Sequence, residues 1–154
     1  IDIAVESLIA AGANDVVIVG GGTKTSSLEK NVQYCEDLFP NEGPLGGVIT
    51  GLKNVESDIA VILACDYLDI DSSVILECIS KLNSRSMVFP FHEGKEQYLF
   101  STIRTKNVEL LESQFMNGVR SMHEASTFLD CEPYQSAHPE KLRSANTPSQ
   151  LNGD

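Results

Sequence analysis

The sequence predicts an α/β protein built on a mostly parallel sheet with helices on both faces. Three observations carry that expectation. Residues 58–65, DIAVILAC, are apolar without alternation, as a strand is when both faces of a parallel sheet are covered. On either side of it, apolar residues recur at helical spacing. Turns rich in glycine and proline separate the two kinds of segment.

Taken in order, Ile1, Ala4, Val5, Leu8 and Ile9 follow the i, i+3, i+4 rule of a helix, and Gly12 is placed to end it. DVVIVGGG (15–22) reads as a short buried strand running into a glycine loop. TKTSSLEKN (23–31) is polar loop or frayed helix, and a short strand is expected near 33–36. Pro44 opens a helix that runs to Asn54, with positions 45, 48, 49 and 52 on one face. After the strand at 58–65, Asp71 with Ser72 and Ser73 caps a helix carrying Val74, Ile75, Cys78, Ile79 and Leu82. Residues 86–103 read as two strands joined at Glu93-Gly94. Helical spacing returns from Thr105 to Phe115 and from Gly118 to Leu129, and the tail after Cys131 reads as irregular.

The chain has 154 residues, enough for one domain with its own core. Its 22 acidic against 11 basic residues give a net charge of −11, which disfavours nucleic acids and anionic membranes as partners. A small phosphorylated ligand is compatible if a metal ion or backbone dipoles offset its charge. Cys35, Cys65, Cys78 and Cys131 have no C-x-x-C spacing, which favours reduced thiols and a cytoplasmic location over disulfides or zinc. His92, His123 and His138 are equally scattered. No apolar stretch approaches a membrane span, and the first residues carry no signal-peptide pattern. Oligomeric state leaves no trace in the sequence.

Two places carry chemistry. In parallel sheets, ligands gather beyond the carboxyl ends of strands. Asp66 stands there, after the most apolar strand, where a carboxylate can hold a divalent ion bridging phosphates. It can equally be a turn residue or a cap. GPLGG (43–47) lets backbone approach a ribose or base and offers helix N–H groups. A tight turn explains the same glycines. Lys24 and Lys30 have the reach to meet a phosphate but read equally as solvated surface.

D-x-x-P-x-x-GPLGG (37–47), the strand ending in Cys65-Asp66 and ANTPSQL (145–151) occur in this order over nearly the whole chain. Together they resemble the molybdenum cofactor guanylyltransferases and related MobA-like nucleotidyltransferases. EGKEQYLFSTI (93–103) is similar to the strand pair that follows the metal aspartate in that family. The resemblance implies a three-layer Rossmann-like nucleotidyltransferase fold and an Mg²⁺-dependent enzyme. The enzyme would transfer GMP from GTP to molybdopterin with release of pyrophosphate. By position, the resemblance implies that Asp37, Gly43, Pro44, Leu45 and Gly46 contact the nucleoside. Asp66 is the implied metal ligand and catalytic centre, and Asn146 lies near the second substrate. No protein nucleophile is needed, because phosphoryl transfer rests on positioning and charge neutralisation.

The metal motif of the family continues D-x-P where this chain has Asp66-Tyr67-Leu68, and Ser144 replaces the first Asn of N-x-N-T-P. Family members also begin with a strand and a glycine-rich triphosphate loop, neither of which precedes Ile1 here. Residues 1–154 are therefore expected to form a single domain completed by about 30–40 further N-terminal residues. The first of their elements would be a strand lying between those at 15–19 and 58–65. Cytidylyl transfer, another phosphorylated acceptor and a non-catalytic nucleotide-binding module are the rival readings.

Overall fold

The apolar run at 58–65 does fold as a strand, but a half-buried one, and the reason defines the architecture. The computed structural model describes residues 1–20, 24–26 and 31–145. In chain order they form α1 (Asp2–Ala10), β1 (Val16–Val19), β2 (Val32–Cys35), α2 (Pro44–Lys53), β3 (Ile59–Leu63) and α3 (Ser72–Lys81). There follow β4 (Met87–His92), β5 (Lys95–Glu96), β6 (Phe100–Arg104), α4 (Val108–Met116), α5 (Met122–Ser126) and β7 (Cys131–Gln135). A 3-10 turn, Pro139–Leu142, closes the described chain.

β1 and β2 pair in parallel, Val16 opposite Val32 through Val19 opposite Cys35. The second sheet runs β3-β6-β4-β5, with β7 beside β4. β3, β4 and β7 point one way, and β5 and β6 are reversed against them. The period of two along the strands sends Met87, Phe89 and Ile103 to one face. There they meet Leu45, Ile49, Leu111 and Phe115 of α2 and α4. Val88 and Phe100 point to the other face, against Val74, Ile75 and Cys78 of α3. The sheet therefore lies between two apolar layers, the three-layer arrangement expected from the sequence.

Among the described residues β1 pairs only with β2 and β3 only with β6, so each strand has one edge without a ladder partner. Residues of both strands line one cavity of about 680 Å³, whose walls include Val5 of α1, Gly47 and Gly51 of α2, and Ile75 of α3. The apolar sequence of β3 predicts full burial, yet Ile59 is 38% exposed and the rest of the strand is only partly covered. The slot beside it is the physical reason.

Asp71 caps α3 as expected, its Oδ1 accepting from the backbone N–H groups of Ser73 (2.9 Å) and Val74 (3.4 Å). Lys141 Nζ donates to Oδ2 at 2.5 Å. That bond first, then those from Ser73 and Val74, hold the Asp71 carboxyl down to about 2. A depressed folded-state value adds stability that is complete above the ordinary carboxylate range and disappears as pH falls toward 2. Asp71→Ala is expected to cost about 1 kcal/mol at pH 7, mostly through the cap, because the ion pair is half exposed and screened. The gap in melting temperature between wild type and variant should close between pH 4 and pH 2. A gap that persists at pH 2 would refute this account.

Two segments differ from the sequence expectation. The helix expected over 118–129 contracts to α5, because Gly118 ends α4 at φ +103° and Ser121 starts a new cap by accepting from Glu124 N–H. The tail after Cys131 is not irregular: Cys131–Gln135 pairs in parallel with β4. Its polar residues and Pro133 suit a strand whose one described partner is β4.

Candidate active site

The carboxyl ends of β1 and β3 and the first turn of α2 all border the slot, which Val19, Pro44, Gly47 and Cys65 help to line. Asp66 follows directly, half-buried. The turn that carries it is held from two sides. Ala64 N–H donates to Leu99 O at 2.8 Å, and Asp66 O accepts from Ala145 N–H at 2.9 Å. Tyr67 is buried with its ring edge toward Phe100, and its hydroxyl donates to Gln97 Oε1 at 3.1 Å. Burial, and then the nearby Asp66 charge, raise the Tyr67 phenol well above its ordinary range. The helix-cap alternative for Asp66 falls away, since Asp71 takes that role five residues later.

Around GPLGG the chain packs against itself. Gly43 has φ +92°, and a Cβ built there would lie 2.9 Å from Arg120 O. A Cβ on Gly46 would lie 2.8 Å from Phe39 Cβ. Leu45 is fully buried in the core, and its N–H donates to Arg120 O at 3.3 Å. Gly46 N–H donates to Gly43 O, also at 3.3 Å. These two N–H groups of the helix start are thus engaged within the protein, where the sequence had suggested open donors. Pro44 is exposed at the mouth of the slot.

Asp37 also spends contacts on the fold. Its Oδ1 accepts from Phe39 N–H (2.9 Å) and from the buried Thr50 hydroxyl (3.1 Å), which fastens the 37–42 loop to α2. Its Oδ2 sits 4.0 Å from where a Gly47 Cβ would be, beside Val19. Gly47 therefore leaves space along the slot, and sequence reasoning did not single it out. The four-residue spacing from the N-cap Gly43 to Gly47 and Gly51 on α2 was the available signal. Lys24 is exposed, while Lys30 and Asn146 lie outside the described residues. The segment that leads to Asn146 nevertheless runs along the Asp66 turn, through Ala145 and an antiparallel bridge between Ser144 and Tyr67.

Among the described residues no group of three or more His, Cys, Asp or Glu side chains could enclose a metal ion. One carboxylate at a strand end fits a divalent ion whose remaining ligands are water and substrate phosphates. No described helix is long and apolar enough to cross a membrane.

A sheet between two helical layers gives the chain a Rossmann-like architecture, and its family makes it a nucleotidyltransferase. More specifically, the chain belongs to the MobA-like NTP transferase domain family, whose model matches residues 1–130. It is 30% identical to a molybdenum cofactor guanylyltransferase of Pseudomonas entomophila (strain L48), over 96% of this chain and 79% of that protein. It spans about 60% of the length of the next curated relatives that it matches. The fold is similar to that of molybdopterin-guanine dinucleotide biosynthesis protein A from Archaeoglobus fulgidus, with TM-score 0.59 and 21% identity over 77% of this chain and 64% of that one. It is also similar to 2-C-methyl-D-erythritol 4-phosphate cytidylyltransferase from Thermus thermophilus, with TM-score 0.69 and 8% identity over 96% and 82%.

Proposed function

We propose that the protein transfers GMP from GTP to molybdopterin and releases pyrophosphate, with Mg²⁺ held at Asp66. The observation that carries this reading is the position of Asp66 beyond the end of β3, next in the chain to Cys65, which lines the slot, in a chain of this family. An oxygen of the acceptor's phosphate forms the new bond to the α-phosphorus of GTP, and the bond to the β-phosphate bridge breaks. Bound Mg²⁺ would neutralise charge on the phosphate oxygens. The chain's own part is to hold geometry. Asp66 is fixed by its anchored turn, and Pro44 and Gly47 border the space for the nucleoside. The Gly43–Gly46 loop and Asp37 keep that border rigid, and Asn146 follows the segment that reaches Asp66.

Pyrophosphate release should be measured on the full-length protein with molybdopterin and each of the four nucleoside triphosphates. GTP is expected to support turnover at least tenfold above the others. Preference for CTP would turn the reading toward cytidylyl transfer, and binding of GTP without turnover toward a binding module.

The same reading includes a further strand outside residues 1–154 that pairs with both β1 and β3 and fills the slot between them, leaving open for the nucleotide only the end bordered by Val19, Pro44, Gly47 and Cys65. The two edges that lack a ladder partner among the described residues, and the half-buried β3, support it, because unsatisfied backbone groups beside apolar side chains are costly. Hydrogen exchange on the native protein tests it, together with intact mass. Slot-side amides of β1 and β3 should exchange as slowly as those of β4. A mass matching residues 1–154, with those amides exchanging fast, would contradict it.

A further inference from the structure

The turn after Asp66 is one half of a short antiparallel ribbon whose other half is residues 143–145, directly after the 3-10 turn Pro139–Leu142. Asp66 O accepts from Ala145 N–H (2.9 Å), Tyr67 bridges Ser144, and Leu68 N–H donates to Arg143 O (3.2 Å). Side chains continue the register. Arg143 donates through Nε (2.9 Å) and Nη2 to Asp69 Oδ2, and Lys141 Nζ donates to Asp71 Oδ2. Leu142 is buried in the same cluster as Tyr67, Ile70 and Val74, which pins the second half to the core. On its other side the turn is held by Gln97 and Leu99.

The charge pattern gives this ribbon a purpose. Asp66, Asp69 and Asp71 place three carboxylates within six residues. Unneutralised, they would repel one another and offer a divalent cation competing places to bind. Arg143 and Lys141 each neutralise one of the two that are not at the strand end. We infer that Arg143 and Tyr67 are positioning residues: they hold the turn that carries Asp66 against residues 143–145, and Arg143, by neutralising Asp69, confines the divalent cation to Asp66. The inference rests on the reading of Asp66 as metal ligand.

The test is the Mg²⁺ concentration for half-maximal turnover of the full-length protein, compared for wild type, Arg143→Ala, Arg143→Lys, Tyr67→Phe and Asp66→Asn. Arg143→Ala is expected to raise that concentration about twofold to fivefold, because it frees the Asp69 carboxylate to compete for the cation and removes an exposed ion pair. Its kcat at saturating Mg²⁺ should stay within about twofold of wild type. Arg143→Lys should recover part of the shift, and Tyr67→Phe should move it in the same direction as Arg143→Ala. A purely structural role would lower the melting temperature and leave the half-activating concentration unchanged. If Arg143→Ala and Tyr67→Phe both activate at the wild-type Mg²⁺ concentration while Asp66→Asn is inactive, the positioning role is overturned and the metal ligand stands. If Asp66→Asn also turns over normally, the metal reading fails, and this inference with it.

Discussion

Asp66→Asn is expected to lower metal-dependent kcat/KM by roughly a hundred- to a thousandfold, the several kcal/mol that a bound cation contributes to a phosphoryl-transfer barrier. The fold should survive. Asp66 is half-buried at a strand end, and the contacts that anchor its turn include those of its backbone oxygen, of Tyr67 and of Ala64, which the substitution keeps. The melting temperature is therefore expected to stay within about 2 °C of wild type. Steady-state kinetics over a range of Mg²⁺ concentrations reads the first effect, and differential scanning calorimetry the second. Turnover near the wild-type rate would reduce Asp66 to a turn residue.

Gly43→Val should act in the opposite sense, chiefly on stability. The new side chain would occupy a left-handed backbone conformation and press on the Arg120 carbonyl, where a Cβ would stand at 2.9 Å. Strain and overpacking together are expected to cost about 3 kcal/mol, or roughly 6–12 °C in melting temperature for a domain of this size. Gly47→Ala is the contrasting case. Its Cβ would meet nothing closer than 4.0 Å, so the helix should gain slightly while the space between Asp37 and Val19 narrows. Stability unchanged or raised, with weaker GTP binding by calorimetry, is the expected result. Unchanged affinity would remove Gly47 from the nucleoside border.

These two glycines show where sequence reasoning succeeds and where it stops. The Asp71 cap, the Pro44 helix start and the apolar faces of α2 and α3 depend on neighbours within one or two turns, and the residues declare them. The family resemblance implied Asp66 as a metal ligand, and the chain there forms a turn directly after Cys65, which lines the slot, bonded to Ala145. The reason for Gly43 was not readable, because its neighbour Arg120 is remote in sequence and nothing in GPLGG names it. Asp37 was expected at the ligand, yet its Oδ1 is committed to Phe39 and Thr50, a bond pattern that only packing of the loop on α2 creates. β7 was hidden because an edge strand needs few apolar residues and tolerates Pro133. The pairing of 66–71 with 141–145 was hidden for a related reason. Its charges look like solvated surface until the register pairs them.

The account turns on where nucleotide and metal meet, and paramagnetic broadening measures that directly. Mn²⁺ in place of Mg²⁺, added with GTP to isotopically labelled full-length protein, should broaden the backbone amide signals of Gly20, Gly47, Cys65, Asp66 and Ala145 first. Asp66→Asn should abolish that pattern while leaving the spectrum of the folded protein intact. Broadening centred on other acidic surface, such as Glu93 and Glu96, or an unchanged pattern in Asp66→Asn, would contradict the assignment of this slot as the active site.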